Sequence, residues 1–200
     1  MQVEYLTNEQ IRAAADAFLA RYHPSRTIPT PIENIVESGL GIDIFPIPAL
    51  HSNFDVDAFI TSDLKTICVD EYMMVERENR YRFSLAHESA HAHLHAALFR
   101  SVPVATVSEW KDRTRSIDPA TYARIEYQAN VFAGCVLAPS EHLELQWVKG
   151  SSIVPQELRN GELLEVAYEL VAGEICHEFG VSEECMAICL KRAKLGWRKL

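Results

Sequence analysis

The pentapeptide His87-Glu88-Ser89-Ala90-His91 constrains the fold of this chain more than any other feature. If the segment is a helix, His87 and His91 lie on one face, one turn apart, and can aim two imidazole nitrogens at a single ion. Glu88 then lies about a quarter turn from His87, where it can reach a water on that ion without being a ligand. This is the HExxH pattern, in which the glutamate serves as a general base beside zinc. The sequence therefore predicts a metal-binding helix.

The alternative is a histidine-rich helix that faces solvent, because His93 and His95 follow directly. Apolar residues at helical spacing argue for a packed helix instead. They are Phe83, Ala86, Ala90, Leu94 and Ala97. This stripe favours the metal-site interpretation.

A catalytic zinc needs a third protein ligand and one open position. A third histidine six residues after His91 would be typical of one subclass, but that position is Ala97. Glu126 is the candidate instead, because it borders a core stripe formed by Ile125, Ala129, Phe132 and Val136. A carboxylate there is costly unless it is paired or binds metal. One turn later, Asn130 can hold the free ring nitrogen of a ligand histidine. The competing interpretation of Glu126 is an ordinary surface glutamate.

Local signals predict an α+β fold. A first helix starts at Thr7, where Gln10 completes a capping box, and a second is predicted from Thr30-Pro31, with Glu33 in the same role. Strand-like runs follow at 42–47, 58–61 and 66–69, the last two forming a plausible hairpin. Such a hairpin would offer an edge strand to which an extended peptide can add.

A helical pattern covers about 75–99, and Asp118-Pro119 starts another helix that reaches about Leu137. Residues 101–117 are predicted to be a loop, either a lid over the site or a solvated connection. The remainder is predicted to be helical, with breaks near Gly150, Asn160-Gly161 and Gly180. We expect one compact zincin-like domain over 1–200, with a short antiparallel or mixed sheet and a possible helical C-terminal subdomain at 151–200.

Composition excludes several classes of function. The net charge of −9 argues against an electrostatic grip on nucleic acid or an anionic membrane. The sequence has no apolar run long enough to span a membrane and no secretory signal, and its five cysteines form no CxxC pair. These features predict a cytoplasmic protein without disulfides.

Three segments together resemble the ImmA/IrrE family of metallopeptidases. They are 82–91 around the pentapeptide, Glu126-Tyr127-Gln128-Ala129-Asn130-Val131-Phe132-Ala133, and Val136-Leu137-Ala138-Pro139. The resemblance implies that His87, His91 and Glu126 bind zinc, that Glu88 is the general base and that Asn130 supports a ligand. The Ser89-Ala90 pair and the long stretch between the two helices depart from the family pattern, but neither removes a ligand.

The resemblance also implies site-specific cleavage of a helix-turn-helix repressor or antitoxin in a stress, phage or mobile-element response. Histidine and carboxylate ligands also accept Mn²⁺, Co²⁺ or Fe²⁺. Candidate donors to the oxyanion are Tyr122, Tyr127, His95 and His142, among which the sequence does not choose. The alternative function is a catalytically weak, metal-dependent interaction module or a DNA-associated regulator, because 163–195 has a helix-turn-helix outline. The acidic residues Glu183 and Glu184 at the start of its second helix oppose DNA reading.

Overall fold

A computed structural model describes residues 3–159 and 163–195 of the chain. The described part is mainly helical, with one small sheet. The helices are α1 (Asn8–Tyr22), α2 (Ile32–Asn34), α3 (Leu50–Phe54), α4 (Glu71–Glu76), α5 (Glu78–Leu94), α6 (Ala96–Ser101), α7 (Val107–Ser116), α8 (Pro119–Leu137), α9 (Ser140–Gly150), α10 (Leu164–Phe179) and α11 (Glu183–Ala193). The strands are β1 (Asp43–Ile47), β2 (Ala58–Ile60) and β3 (Thr66–Asp70). The predicted α+β class is confirmed.

The sheet has the order β1-β3-β2 and is mixed. Strand β1 runs parallel to β3, with Phe45 opposite Cys68, and β2 runs antiparallel to β3, with Phe59 opposite the same residue. The predicted hairpin and edge strand are thus present. One face of the sheet carries Ile60, Ile67 and Val69 into the main core. The other face carries Phe59 and Cys68 into a small second cluster, as the two-residue period of a strand requires.

The main core is organised around α5 and α8, which make the most extensive helix–helix contact in the described structure. Alanines on the shared faces, including Ala86, Ala90 and Ala129, are fully buried and allow a close approach. The predicted stripe of α8 is buried as well, with Phe132 fully enclosed. The start of α8 is also as predicted, because Asp118 caps it and Pro119 is its first residue.

The start of the second helix differs from its prediction. Pro31 precedes α2, and no side chain caps it. The Thr30 hydroxyl instead donates to the Val136 carbonyl, and Glu33 accepts from Tyr81. Tertiary hydrogen bonds therefore take both groups of the expected capping box. After α2 the chain continues as a π-helical segment, Ile35–Gly39.

The prediction of a loop over 101–117 is wrong. Helix α6 ends at Ser101, and most of the rest is α7. A capping box that sequence analysis overlooked starts α7, because the Thr106 hydroxyl accepts from the Glu109 N–H and Glu109 accepts from the Thr106 N–H. The long helix expected over 75–99 is likewise divided, with breaks at Arg77 and His95.

Helices α10 and α11 close the domain rather than project from it. Gly180 adopts the left-handed conformation that ends α10, and Ser182 caps α11. Arg82 on α5 donates to the Gly180 carbonyl, which ties this turn to the core. The predicted break at Asn160-Gly161 lies outside the described residues. Within the described ranges, no helix is both long enough and apolar enough to cross a lipid bilayer.

Candidate metal centre

The pentapeptide lies in the middle of α5, on the face that packs against α8. Helical spacing puts His87 and His91 on that face, and Glu126 projects toward them from α8. His91 is almost fully buried, while the side chain of Glu126 keeps 29% of its exposure. The helix pair thus brings together all three residues that the resemblance implied as ligands.

Three potential ligand groups meet at one point. The Nε2 atoms of His87 and His91 are 3.0 Å apart. Glu126 Oε2 is 3.2 Å from His87 Nε2, and Glu126 Oε1 is 3.5 Å from His91 Nε2. Ligand atoms around a tetrahedral zinc are separated by about 3.3 Å, given bond lengths of about 2.0–2.1 Å. The observed separations fit such an ion.

Glu88 is the competing third ligand, because its carboxylate and the two histidines offer atoms that all lie within 4.8 Å of one another. Two contacts favour Glu126 instead. Both Glu126 oxygens approach the histidine Nε2 atoms. Glu88 Oε2 accepts a hydrogen bond of 2.9 Å from the Ile60 N–H of the edge strand β2, which turns that carboxylate toward the sheet. Burial raises the pKa of Glu88 to about 7, a range suited to a group that exchanges protons.

A chain of hydrogen bonds behind His91 sets the protonation of its ring. The Gln128 amide donates to the Glu4 carbonyl, so its oxygen accepts from His95 Nε2 at 2.8 Å. His95 Nδ1 is then the acceptor for His91 Nδ1, 3.1 Å away. His91 Nε2 is consequently left with a lone pair that points at Glu126. Burial also lowers the pKa of His91 to about 3, which keeps the ring neutral.

His87 has the same arrangement through a shorter path. Its Nδ1 donates to the Asn130 amide oxygen over 3.0 Å, which leaves Nε2 as a lone-pair donor. Asn130 therefore occupies the supporting position expected for it. Burial opposes a charge on His87, but hydrogen bonding to Glu126 and the nearby carboxylate charges together outweigh it and raise the pKa of that ring. The site thus favours a positive charge between the imidazole nitrogens and the carboxylate, and a divalent metal would take the place of the proton there.

Comparison with known families supports this assignment. Residues 37–191 match the model of a peptidase family described as "IrrE N-terminal-like domain". The chain belongs to the ImmA/IrrE family of metallopeptidases. A search of curated proteins found no match. Membership supports a metallopeptidase type of function, and the matched range includes all of the converging residues.

Of the four candidate oxyanion donors in this ImmA/IrrE-family chain, only Tyr122 lines the cavity above the ligand cluster. The Tyr127 hydroxyl donates to Asn8, and the residue is 46% exposed. His95 lies behind His91, as described above. His142 contacts the Arg26 backbone, away from the cluster. Burial raises the pKa of Tyr122 to about 12, so its hydroxyl stays protonated at neutral pH.

The cavity itself has a volume of about 230 Å³. Helices α5 and α8 form one wall, and α7 forms the opposite wall. The four α7-side residues that line it are Trp110, Arg113, Thr114 and Ile117. The segment expected to be a lid or a solvated loop is thus a helical cover over the site.

Sequence analysis missed several residues of the site, namely Phe99, Arg113 and Gln128. Phe99 stacks on the His91 ring, with ring centroids 4.4 Å apart. Arg113 is buried, which lowers the pKa of its guanidinium, although the group keeps its charge at neutral pH. The capping box at Thr106 indicates a helix over 107–116, but it does not show which face of that helix meets the site.

Proposed function

We propose that this chain is a zinc-dependent endopeptidase of the cytoplasm that cleaves a helix-turn-helix repressor or antitoxin at a specific site. The observation that carries the proposal is the meeting of His87, His91 and Glu126, with Glu88 beside them. Family membership supports peptide hydrolysis in general. The repressor and the cellular response are extensions that rest on the family resemblance.

Each residue has a role that follows from its contacts. His87, His91 and Glu126 would hold the zinc ion. When bound, zinc acts as a Lewis acid that polarises a carbonyl and makes water acidic enough to attack it near neutral pH. Glu88 takes a proton from the attacking water and later gives it to the amine that leaves. Because Oε2 of Glu88 is engaged by Ile60, we assign this transfer to Oε1.

The helical cover formed by α7 limits the space in which a substrate can bind. The cavity is smaller than the range of about 300–1,000 Å³ that is typical of small-ligand pockets, so it cannot enclose an extended peptide. Just beyond the end of β2, the Ser62 N–H donates to the Val104 carbonyl, so this end of the outer edge already has a partner. We therefore expect the segment around Val104, before α7, to move aside when a peptide adds to β2, while α7 stays at the cavity wall.

The test uses the purified chain, zinc and the repressor-like protein encoded nearest to it. We expect the wild-type chain to cut that protein at one position, detected by mass spectrometry. Glu88→Gln should reduce the rate by at least about 10²-fold while the bound metal is retained, because only proton transfer is lost. Glu144→Gln, at an exposed position on α9, is the matched control and should cleave normally.

Intact repressor in every condition, with zinc bound, would contradict the proposed substrate. Equal cleavage by the wild type and Glu88→Gln would contradict the role of Glu88. A chain that acts only by binding would retain its effect on the partner in the Glu88→Gln variant.

A further inference from the structure

Arg113 is an unusual side chain within the described structure. It is 2% exposed, yet its Nε and Nη1 atoms have no hydrogen-bond partner in the described structure. Two other arginines of the described structure have clear partners. Arg82 donates to backbone carbonyls, and Arg80 forms a bidentate pair with Asp57. A buried cation with unpaired N–H groups is costly to the folded protein, and binding an anion during function would account for its presence.

The surroundings of Arg113 point to where that anion would lie. Its guanidinium carbon is 4.0 Å from the centre of the Phe99 ring, the same ring that stacks on His91. Arg113 also lines the cavity together with Glu88, Glu126 and Tyr122. The Phe99 ring thus contacts both the Arg113 guanidinium and His91, a candidate metal ligand. The Arg113 N–H groups that lack a partner in the described structure lie at the cavity wall opposite the ligand cluster.

The two nearby carboxylates attract Arg113 without pairing with it. Both Glu88 and Glu126 interact favourably with its charge, but neither lies within ion-pair distance in the described structure. Glu88 is engaged by Ile60, and Glu126 faces the two histidines. This attraction stabilises the buried charge of Arg113. The N–H groups of Arg113 stay available to a third anionic group in the cavity.

We propose that Arg113 is a catalytic residue that donates N–H groups to the oxygen of the scissile carbonyl as negative charge develops on it. This inference rests on the proposed peptidase function. Water adds to the carbonyl carbon, its proton passes to Glu88, and the π electron pair moves onto the oxygen that Arg113 binds. That pair then re-forms the C=O bond, the C–N bond breaks, and the nitrogen takes the proton from Glu88. The products are a carboxylic acid and an amine.

Arg113 suits this task better than Tyr122 does. A charged donor forms stronger hydrogen bonds to an oxyanion than a neutral hydroxyl does. Arg113 is also more deeply buried than Tyr122, and a low-dielectric environment strengthens its effect. Tyr122 lines the same cavity and could add a second, weaker contact.

The experiment compares Arg113→Gln and Arg113→Lys with Arg115→Gln, a control on the same helix. The Arg115 side chain is 77% exposed and forms an ion pair with Asp112. We expect Arg113→Gln to lower kcat by about 10²–10³-fold with little change in KM, as loss of one oxyanion donor does. The kcat of Arg113→Lys should lie between those of Arg113→Gln and the wild type, and Arg115→Gln should match the wild type. Unchanged kcat in Arg113→Gln, or a rise in KM confined to acidic substrates, would overturn the proposal.

A binding measurement keeps the test independent of substrate identity and of turnover. The probe is a zinc-binding phosphinic tripeptide, whose anionic oxygens imitate the tetrahedral state, titrated calorimetrically into the zinc-loaded variants. Arg113→Gln should bind it at least about 10²-fold more weakly than Arg115→Gln does. Equal affinities would overturn the role of Arg113 even if the natural substrate were never cut. Absence of cleavage by the wild type, together with this loss of affinity, would contradict only the proposed function. If Arg113→Gln failed to fold, Arg113→Lys would decide in both measurements.

Discussion

Helices α5 and α8 form one wall of the metal cavity, and α7 with the segment before it forms the other. On the first wall the polar groups have partners, since His87 bonds to Asn130 and His91 leads through His95 to Gln128. On the second wall, Arg113 is buried, and its Nε and Nη1 atoms have no hydrogen-bond partner among the described residues. The first wall is also packed into the main core, whereas α7 makes only sparse contacts with other described elements. We infer that the wall formed by α5 and α8 is preorganised, and that the polar groups of the α7 wall become paired only when substrate binds.

The largest effect that separates the two walls should be on stability. Phe132→Ala removes a fully buried ring from α8 and should lower the free energy of unfolding by about 3–5 kcal/mol. Trp110→Ala removes a partly exposed ring that packs on Phe59 from α7, and we expect a loss of about 1–2 kcal/mol. Urea unfolding of the metal-free variants measures both. Similar losses would show that α7 is as integral to the core as α8, which would contradict the difference between the two walls.

A smaller effect, on metal affinity, should appear when a hydrogen bond of the first wall is removed. Gln128→Leu removes the acceptor for His95. The series of hydrogen bonds that keeps His91 Nε2 free of a proton then lacks its final acceptor. We expect zinc affinity to fall by about 10–100-fold, the usual effect of losing an outer hydrogen bond to a ligand. Competition with a chelating dye measures it. Gln156→Leu, an exposed glutamine far along the chain, is the control. Unaltered affinity in Gln128→Leu would mean that the tautomer of His91 is set in another way.

The sequence predicted the first wall well, because its signals are local or periodic. The HExxH pattern needs a helix, and the stripe that includes Phe132 shows which face of α8 is buried. Those two constraints made Glu126 a candidate third ligand, and the family resemblance assigned it that role beside His87 and His91. Asn130 followed from its position one turn after Glu126. The three strands also came from local patterns, and each was placed to within about a residue of its observed bounds.

The second wall could not be predicted in the same way. Helix α7 has mostly polar side chains, so no apolar stripe shows which face is buried, and only the capping box at Thr106 indicates that it is a helix. Arg113 resembles any other charge in the mixed run around it until the fold places it over Phe99. The role of Gln128 also leaves no local sequence pattern, since its two partners, Glu4 and His95, are distant in sequence. These residues act through tertiary contacts that leave no local pattern.

The proposed chemistry requires that Glu126, rather than Glu88, completes the metal site with His87 and His91. The measurement that tests it is the metal content per chain, by atomic emission after gentle purification, of the wild type, Glu88→Gln and Glu126→Gln. We predict close to one zinc ion per chain for the wild type and for Glu88→Gln, and a large loss for Glu126→Gln. Retention of zinc by Glu126→Gln, together with its loss from Glu88→Gln, would contradict the account.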